Sequence, residues 1–314
     1  MADSNPPHES NAWRIKWRYA TPIILIHLVA LLACLPWFFS WTGVALAAVG
    51  QYVFGGIGMN VGYHRLITHR GFVCPRWLER SLALLGACCL EESPTVWVAW
   101  HRQHHHAADK ENDLHSPLTS FVWGHVGWLM IKSDSADPGP LKKRYAPDLL
   151  DDPFYAWLEA SDNWIKVALL SWAFYFLVGY AAVSVPGGEV REATQFGASL
   201  VVWGAAVRTV LVWHITWSVN SIAHLWGYRN YNTPDNSRNN VLVGLLAGGE
   251  GWHNNHHAAP SSARHGHKWW ELDVAWLTIR MLIVLGLAKN VSLPSPSLAT
   301  VFAPVTSPDR LPTK

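Results

Sequence analysis

Residues 20–63 read ATPIILIHLVALLACLPWFFSWTGVALAAVGQYVFGGIGMNVGY, and no Asp, Glu, Lys or Arg interrupts them before the chain reaches HRLITH at 64–69. At roughly 1.5 Å per residue, a helical stretch of this length crosses an apolar layer of ~30 Å twice. A hairpin is therefore expected, turning near Ser40–Gly43. Outward from it, 167–188 is again free of charge, and the run from Ala193 is broken only by Arg208. Four spans are predicted at about 21–40, 44–62, 166–186 and 195–218. Segments 82–90 and 272–287 read as interfacial or core-packed helices, the first too short to cross and the second carrying Asp273 and Arg280. Pro138-Gly139-Pro140 and the tail from Pro294 read as irregular.

Composition agrees: half of the 314 residues are hydrophobic, 15% are charged, and there are 20 Trp and 17 His. Of the Lys and Arg, 3 precede the first span, 10 lie in 63–163 and 8 follow Ser221, whereas the connection between spans three and four holds only Arg191. Both termini and the polar loops are thus expected on the cytoplasmic side of a multi-pass membrane protein. The N-terminus does not read as a cleaved signal peptide. The four cysteines form no CxxC pair, and a net charge of +2 excludes a nucleic-acid partner. The expected domains are an N-terminal segment 1–20, a membrane domain 21–290 and an irregular tail 291–314.

The polar segments carry the chemistry. His64 and His69, then HRQHH at 101–105, then HNNHH at 253–257, are joined by Asn220 and His224. Residues at i, i+3 and i+4 share one helix face, so His101, His104 and His105, and likewise His253, His256 and His257, each form a ligand surface. On an α-helix His64 and His69 lie about 140° apart, which suits two neighbouring ions better than one. Nine imidazoles exceed what one ion accepts, while nine plus a water give four or five ligands to each of two ions. The expected fold is all-α: four transmembrane helices with a cytoplasmic His-rich helical cap holding a dinuclear metal site. Glu92, Asp109, Asp113 and Glu250 are candidates to accept the outer N–H of bound imidazoles. His27 and His8 read as packing or surface residues; His106, His115, His125, His214, His265 and His267 fall outside the predicted set.

These motifs, in this order between spans, resemble the membrane-bound fatty acid desaturases, in particular the stearoyl-CoA (Δ9) desaturase-like group. The resemblance covers most of the chain. HRLITH, HRQHH and HNNHH look like that family's three histidine boxes, and Asn220-Ser-Ile-Ala-His224 like its fourth element. It implies nine His ligands for two iron ions cycling between Fe2+ and Fe3+, with Asn220 reaching a metal through water, and O2 as co-substrate. It implies a kinked acyl tunnel with Trp97, Thr216 and Trp217 in its wall.

The expected reaction inserts a cis double bond into a saturated acyl chain, as a fatty acyl-CoA, with an acyl lipid substrate or a hydroxylase on the same scaffold as alternatives. Electrons are expected from a separate protein of ferredoxin, rubredoxin or cytochrome b5 type with its reductase. Iron is preferred because zinc has no redox chemistry. Ala99 and Trp100 depart from the polar pair that contacts CoA in the animal enzymes, and Glu91 and Glu92 replace amide residues. A zinc-dependent membrane hydrolase and a metal transporter are the rivals of another class; the transporter would place its ligands within the spans.

Overall fold

The computed structural model describes residues 14–133, 136–296 and 298, and these are helical with no β-sheet among them. The helices in chain order are α1 (Trp17–Leu31), α2 (Trp41–Gly50), α3 (Arg76–Ala87), α4 (Pro94–Ala107), α5 (Pro138–Tyr145), α6 (Pro147–Leu150), α7 (Pro153–Glu159), α8 (Asn163–Ser184), α9 (Val190–Val201), α10 (Arg208–Leu225), α11 (Val241–Leu246), α12 (His253–Ala258) and α13 (Val274–Val284). Three wide-turned, π-wound segments accompany them: Gln51–Thr68 continues α2, Val202–Val207 joins α9 to α10, and Trp123–Gly127 leads into the single turn Trp128–Met130.

Four helical stretches are long and apolar enough to cross a membrane: Trp17–Cys34, Trp41–Thr68, Pro153–Ser184 and Val190–Leu225. Each contains or overlaps a span predicted from sequence. The first hairpin turns where expected: Ser40 starts α2 by accepting the N–H of Gly43 at 3.0 Å. The fourth stretch is the central one, with 61% of its apolar window buried against 11% in the first and third. Its 36 residues would span ~54 Å, beyond a ~30 Å apolar core. Part of it must therefore lie outside the apolar core.

The π-wound segment packs backbone to backbone on α3. A Cβ on Gly58 would lie 2.7 Å from the Gly86 nitrogen, so only glycine permits this approach. Residues 82–90 thus form a core-packed helix end rather than an interfacial one, with Leu82, Ala83 and Ala87 buried. Pro138 does not leave its segment irregular, as the sequence suggested. It occupies the first turn of α5, where its missing N–H costs nothing, and Asp137 caps that turn by accepting from Gly139 at 2.9 Å. Positions 299–314 of the expected tail lie outside the described residues.

Candidate metal centre and acyl cavity

All nine predicted histidines come together, in two groups. His64, His69, His101, His105 and His256 form one; His104, His224, His253 and His257 form the other. Within each, one ring nitrogen per residue lies within 4.8 Å of all the rest. In the five-His group, His64, His256, His105 and His101 face one another Nε2 to Nε2 at 3.2, 2.9 and 3.0 Å in turn. In the four-His group, His253 Nε2 lies 3.0 Å from that of His224 and 3.1 Å from that of His257.

Hydrogen bonding among the rings does not explain these spacings. His224 and His257 present their Nδ1 to Asp109 at 2.8 Å and Asp235 at 2.9 Å, which fixes the proton there and leaves a lone pair on each Nε2. A single Nε2–H on His253 cannot satisfy both, and the Nε2 atoms of His69 and His104 are buried without a partner. Converging lone pairs call for a cation between them. With metal–nitrogen bonds of ~2.1 Å, adjacent ligands at right angles lie about 3.0 Å apart, the spacing found here. The donor set therefore fits two bound metal ions.

The partition differs from the sequence expectation in two respects. His64 and His69 belong to the same group, because the segment is wound with five-residue turns: His69 N–H donates to His64 O at 3.1 Å, which brings residues five apart together. The two HxxHH surfaces are also divided. His101 and His105 serve one group while His104, between them, serves the other; on α12, His253 and His257 serve the four-His group and His256 the five-His group.

Carboxylates hold the outer nitrogens. Asp113 lies 3.0 Å from His104 Nδ1, Asp109 2.8 Å from His224 Nδ1 and Glu250 2.7 Å from His64 Nδ1, so three of the four acids proposed from sequence take that place. Glu92 does not; it accepts the backbone N–H of Ser93 at 3.1 Å and lines the cavity below. Asp235 and His265 were missed. Asp235 bonds His257, while His265 shares Glu250 with His64 at 3.0 Å and packs on His256 with ring centres 4.4 Å apart. Neither stands at a helical interval from its partner. Of the histidines left outside the predicted set, His106 is exposed, while His115 is buried against His104.

Electrostatics follows the same geometry. Burial opposes ionisation of Asp109, but hydrogen bonds from His224, the Asn236 N–H and Ser116 hold its carboxyl at about 2. Asp113 and Asp235 are likewise held below the usual carboxylate range by His104 and His257, against burial. Glu250 is held far down despite burial, chiefly by Arg65. Burial and neighbouring imidazoles push His101 and His105 well below the usual range, so both are neutral and able to offer lone pairs.

An apolar cavity of about 300 Å³ abuts both groups: His64, His101, His253 and Asn220 form part of its wall, and so do Trp97, Thr216 and Trp217. Trp97 stacks on His101 at 5.0 Å with rings 10° from parallel, and its Nε1 donates to Glu91 at 3.3 Å. Trp217 stacks on Trp213 at 5.6 Å. Asn220 sits one helical turn before His224, beside the four-His group. Glu91 is one of the polar groups in this mostly apolar wall; burial raises its carboxyl to about 8, so at neutral pH it is mostly protonated. Arg18 and Pro22 on α1 and Leu169 on α8 line the cavity and are also exposed, so its wall reaches the surface beside these two helices.

A profile of the fatty acid desaturase family matches residues 35–283. The chain is 40% identical to an sn-2 palmitoyl-lipid 9-desaturase of Nostoc sp. over 94% of its own length and 96% of the relative's. It is 40% identical to an sn-1 stearoyl-lipid 9-desaturase of Synechocystis sp., over 94% of its length and 84% of the relative's. An icosanoyl-CoA 5-desaturase of Limnanthes douglasii is 38% identical over 90% of this chain and 75% of its own. With four membrane-crossing helices and histidines gathered for metal, the chain belongs to the fatty acid desaturase family and is an oxidoreductase of lipid metabolism.

Proposed function

We propose that this enzyme uses O2 to place a cis double bond at C9 of a saturated acyl chain while that chain is esterified in a membrane lipid. What supports this is the apolar cavity whose wall joins the exposed Pro22 and Leu169, in this reading an opening toward the bilayer, to His64, His101 and His253. A lipid can pass its acyl chain through such an opening without leaving the bilayer. The sequence had favoured a CoA thioester. That preference is given up because Ala99 and Trp100 are buried and because, of the cations Lys142, Lys143 and Arg144 that could meet a CoA head group, Lys142 is engaged with Glu159 at 2.6 Å. The activities named for the cyanobacterial relatives support the same choice.

In this reading His64, His69, His101, His105 and His256 hold one iron, and His104, His224, His253 and His257 the other, with Asn220 acting through a water. When bound, the two irons supply the redox chemistry that removes two hydrogens from the chain, while two electrons, two protons and O2 complete the balance as two waters. The protein orients and encloses. Trp97, Thr216 and Trp217 fix which methylenes face the imidazoles, and the apolar wall excludes water from them. A separate one-electron donor of ferredoxin, rubredoxin or cytochrome b5 type serves the cytoplasmic face.

The deciding assay offers purified enzyme the same labelled stearoyl chain as phosphatidylcholine and as CoA thioester, with matched electron donors. Turnover of the phospholipid is expected, and turnover of the thioester alone would overturn the lipid assignment. The CoA relative from Limnanthes makes this arm necessary.

A further inference from the structure

The two imidazole groups differ in what stands behind them. Three carboxylates back the four-His group, each on a different ring: Asp113 on His104 at 3.0 Å, Asp109 on His224 at 2.8 Å and Asp235 on His257 at 2.9 Å. Among the other hydrogen bonds they accept are those from neutral donors: the backbone N–H of Asp109 to Asp113, that of Asn236 to Asp109 and that of Ser237 to Asp235.

Behind the five-His group, one carboxylate meets a ligand-forming ring. Glu250 lies 2.7 Å from His64 Nδ1, and the Arg65 guanidinium neutralises it at 2.9 Å. Arg65 also holds Asp273 at 2.9 Å, so this buried trio carries one net negative charge where the other group is backed by three. The backing of His256 is a neutral ring, that of His265.

We propose that Asp109, Asp113 and Asp235 are positioning residues that make the two metal positions unequal: they bias the four-His position toward the ferric ion, so that the five-His position accepts the first electron from the donor protein. The inference rests on the di-iron reading above. Its physical basis is that each anion stabilises a trivalent ion more than a divalent one. A carboxylate on the outer nitrogen also makes the imidazole a more basic ligand. The fifth imidazole of the other group works in the same direction for its own ion, but it is one neutral donor set against two additional net charges. In iron centres generally, net charge and hydrogen bonding set the reduction potential.

The test is a redox titration of the full chain in detergent, loaded anaerobically with 57Fe and read by Mössbauer spectroscopy. Two separate one-electron transitions are expected. Asp109→Asn, Asp113→Asn and Asp235→Asn each keep a hydrogen-bond acceptor for the imidazole and remove only the charge. Each should cut the ferric preference of one iron by roughly tenfold, which is about 59 mV upward for a one-electron couple, and leave the other potential in place. The unmoved iron in the same sample reports that the fold is intact. Glu250→Gln should do the converse. Two wild-type irons titrating at one potential, or Asp variants that move both irons together, would overturn the inequality alone. A wild-type chain that binds fewer than two irons would overturn the di-iron reading and this proposal with it.

Discussion

The backbone N–H of His69 bonds the carbonyl of His64, five residues back, at 3.1 Å, and the two rings meet edge to face with centres 4.8 Å apart. This wide turn lets both imidazoles serve one group, where a regular α-helix would send them apart. Moving the second imidazole by one place, with Thr68→His combined with His69→Thr, should therefore lower bound metal from two ions per chain toward one. Metal analysis of the purified variant checks this; a full complement would mean that the winding does not decide the partition.

His104 and His256 belong to different groups although each lies within an HxxHH segment. His104→Ala and His256→Ala should each reduce metal content and lower oxygen-dependent turnover by ~100-fold or more. Oxygen consumption measured beside product formation separates loss of metal from uncoupled reduction. Full activity in either variant would remove that residue from the metal-binding set.

Trp217 is 4% exposed and stacked on Trp213, so Trp217→Ala opens the cavity wall. The variant should lose about 3–5 kcal/mol of stability and change the preferred chain length or bond position while retaining metal. An unchanged product distribution across several chain lengths would take Trp217 out of the substrate path.

Glu91 ionises near 8 in the folded protein, against an ordinary value of 4.5. Between these values the unfolded chain has already released the proton that the folded chain keeps, so stability falls as pH rises through this window. Glu91→Gln should flatten the dependence and stabilise the protein at pH 7 by up to roughly 3 kcal/mol, less where cavity water reaches the carboxyl. Melting of wild type and variant from pH 5.5 to 8.5 tests the sign: equal slopes would show that Glu91 is ionised in the folded state.

Arg65 is fully buried, with its guanidinium between Glu250 and Asp273. Arg65→Met leaves two buried carboxylates without their cation and should cost about 3–5 kcal/mol. Arg65→Lys should recover only part, because an ammonium cannot fork to both acids. Thermal unfolding in detergent measures the difference, and a lysine variant as stable as wild type would contradict the forked geometry.

The spans were legible because absence of charge over long stretches is a local property; their ends were not, since Trp41–Thr68 continues through Arg65 and Val190–Leu225 takes in Arg191 and Glu192. The nine histidines were legible because helical spacing repeats around them. Their partition was not. It depends on the winding of 51–68, which the close packing of Gly58 on Gly86 accompanies, and on how α4 and α12 meet in space. Asp235 and His265 reach their partners across loops, without a periodic signal, and so escaped notice. Glu91 was visible as a departure from the family pattern, but its place beside Trp97 needed the fold.

Because α4 and α12 each hand two imidazoles to one group and a third to the other, the two groups share their scaffolding and form one rigid truss. Hinge motion cannot pull them apart without unwinding a helix, and an insertion of one residue within either HxxHH segment would disturb both at once. Control over such a centre must then be exercised at its thresholds rather than by taking it apart.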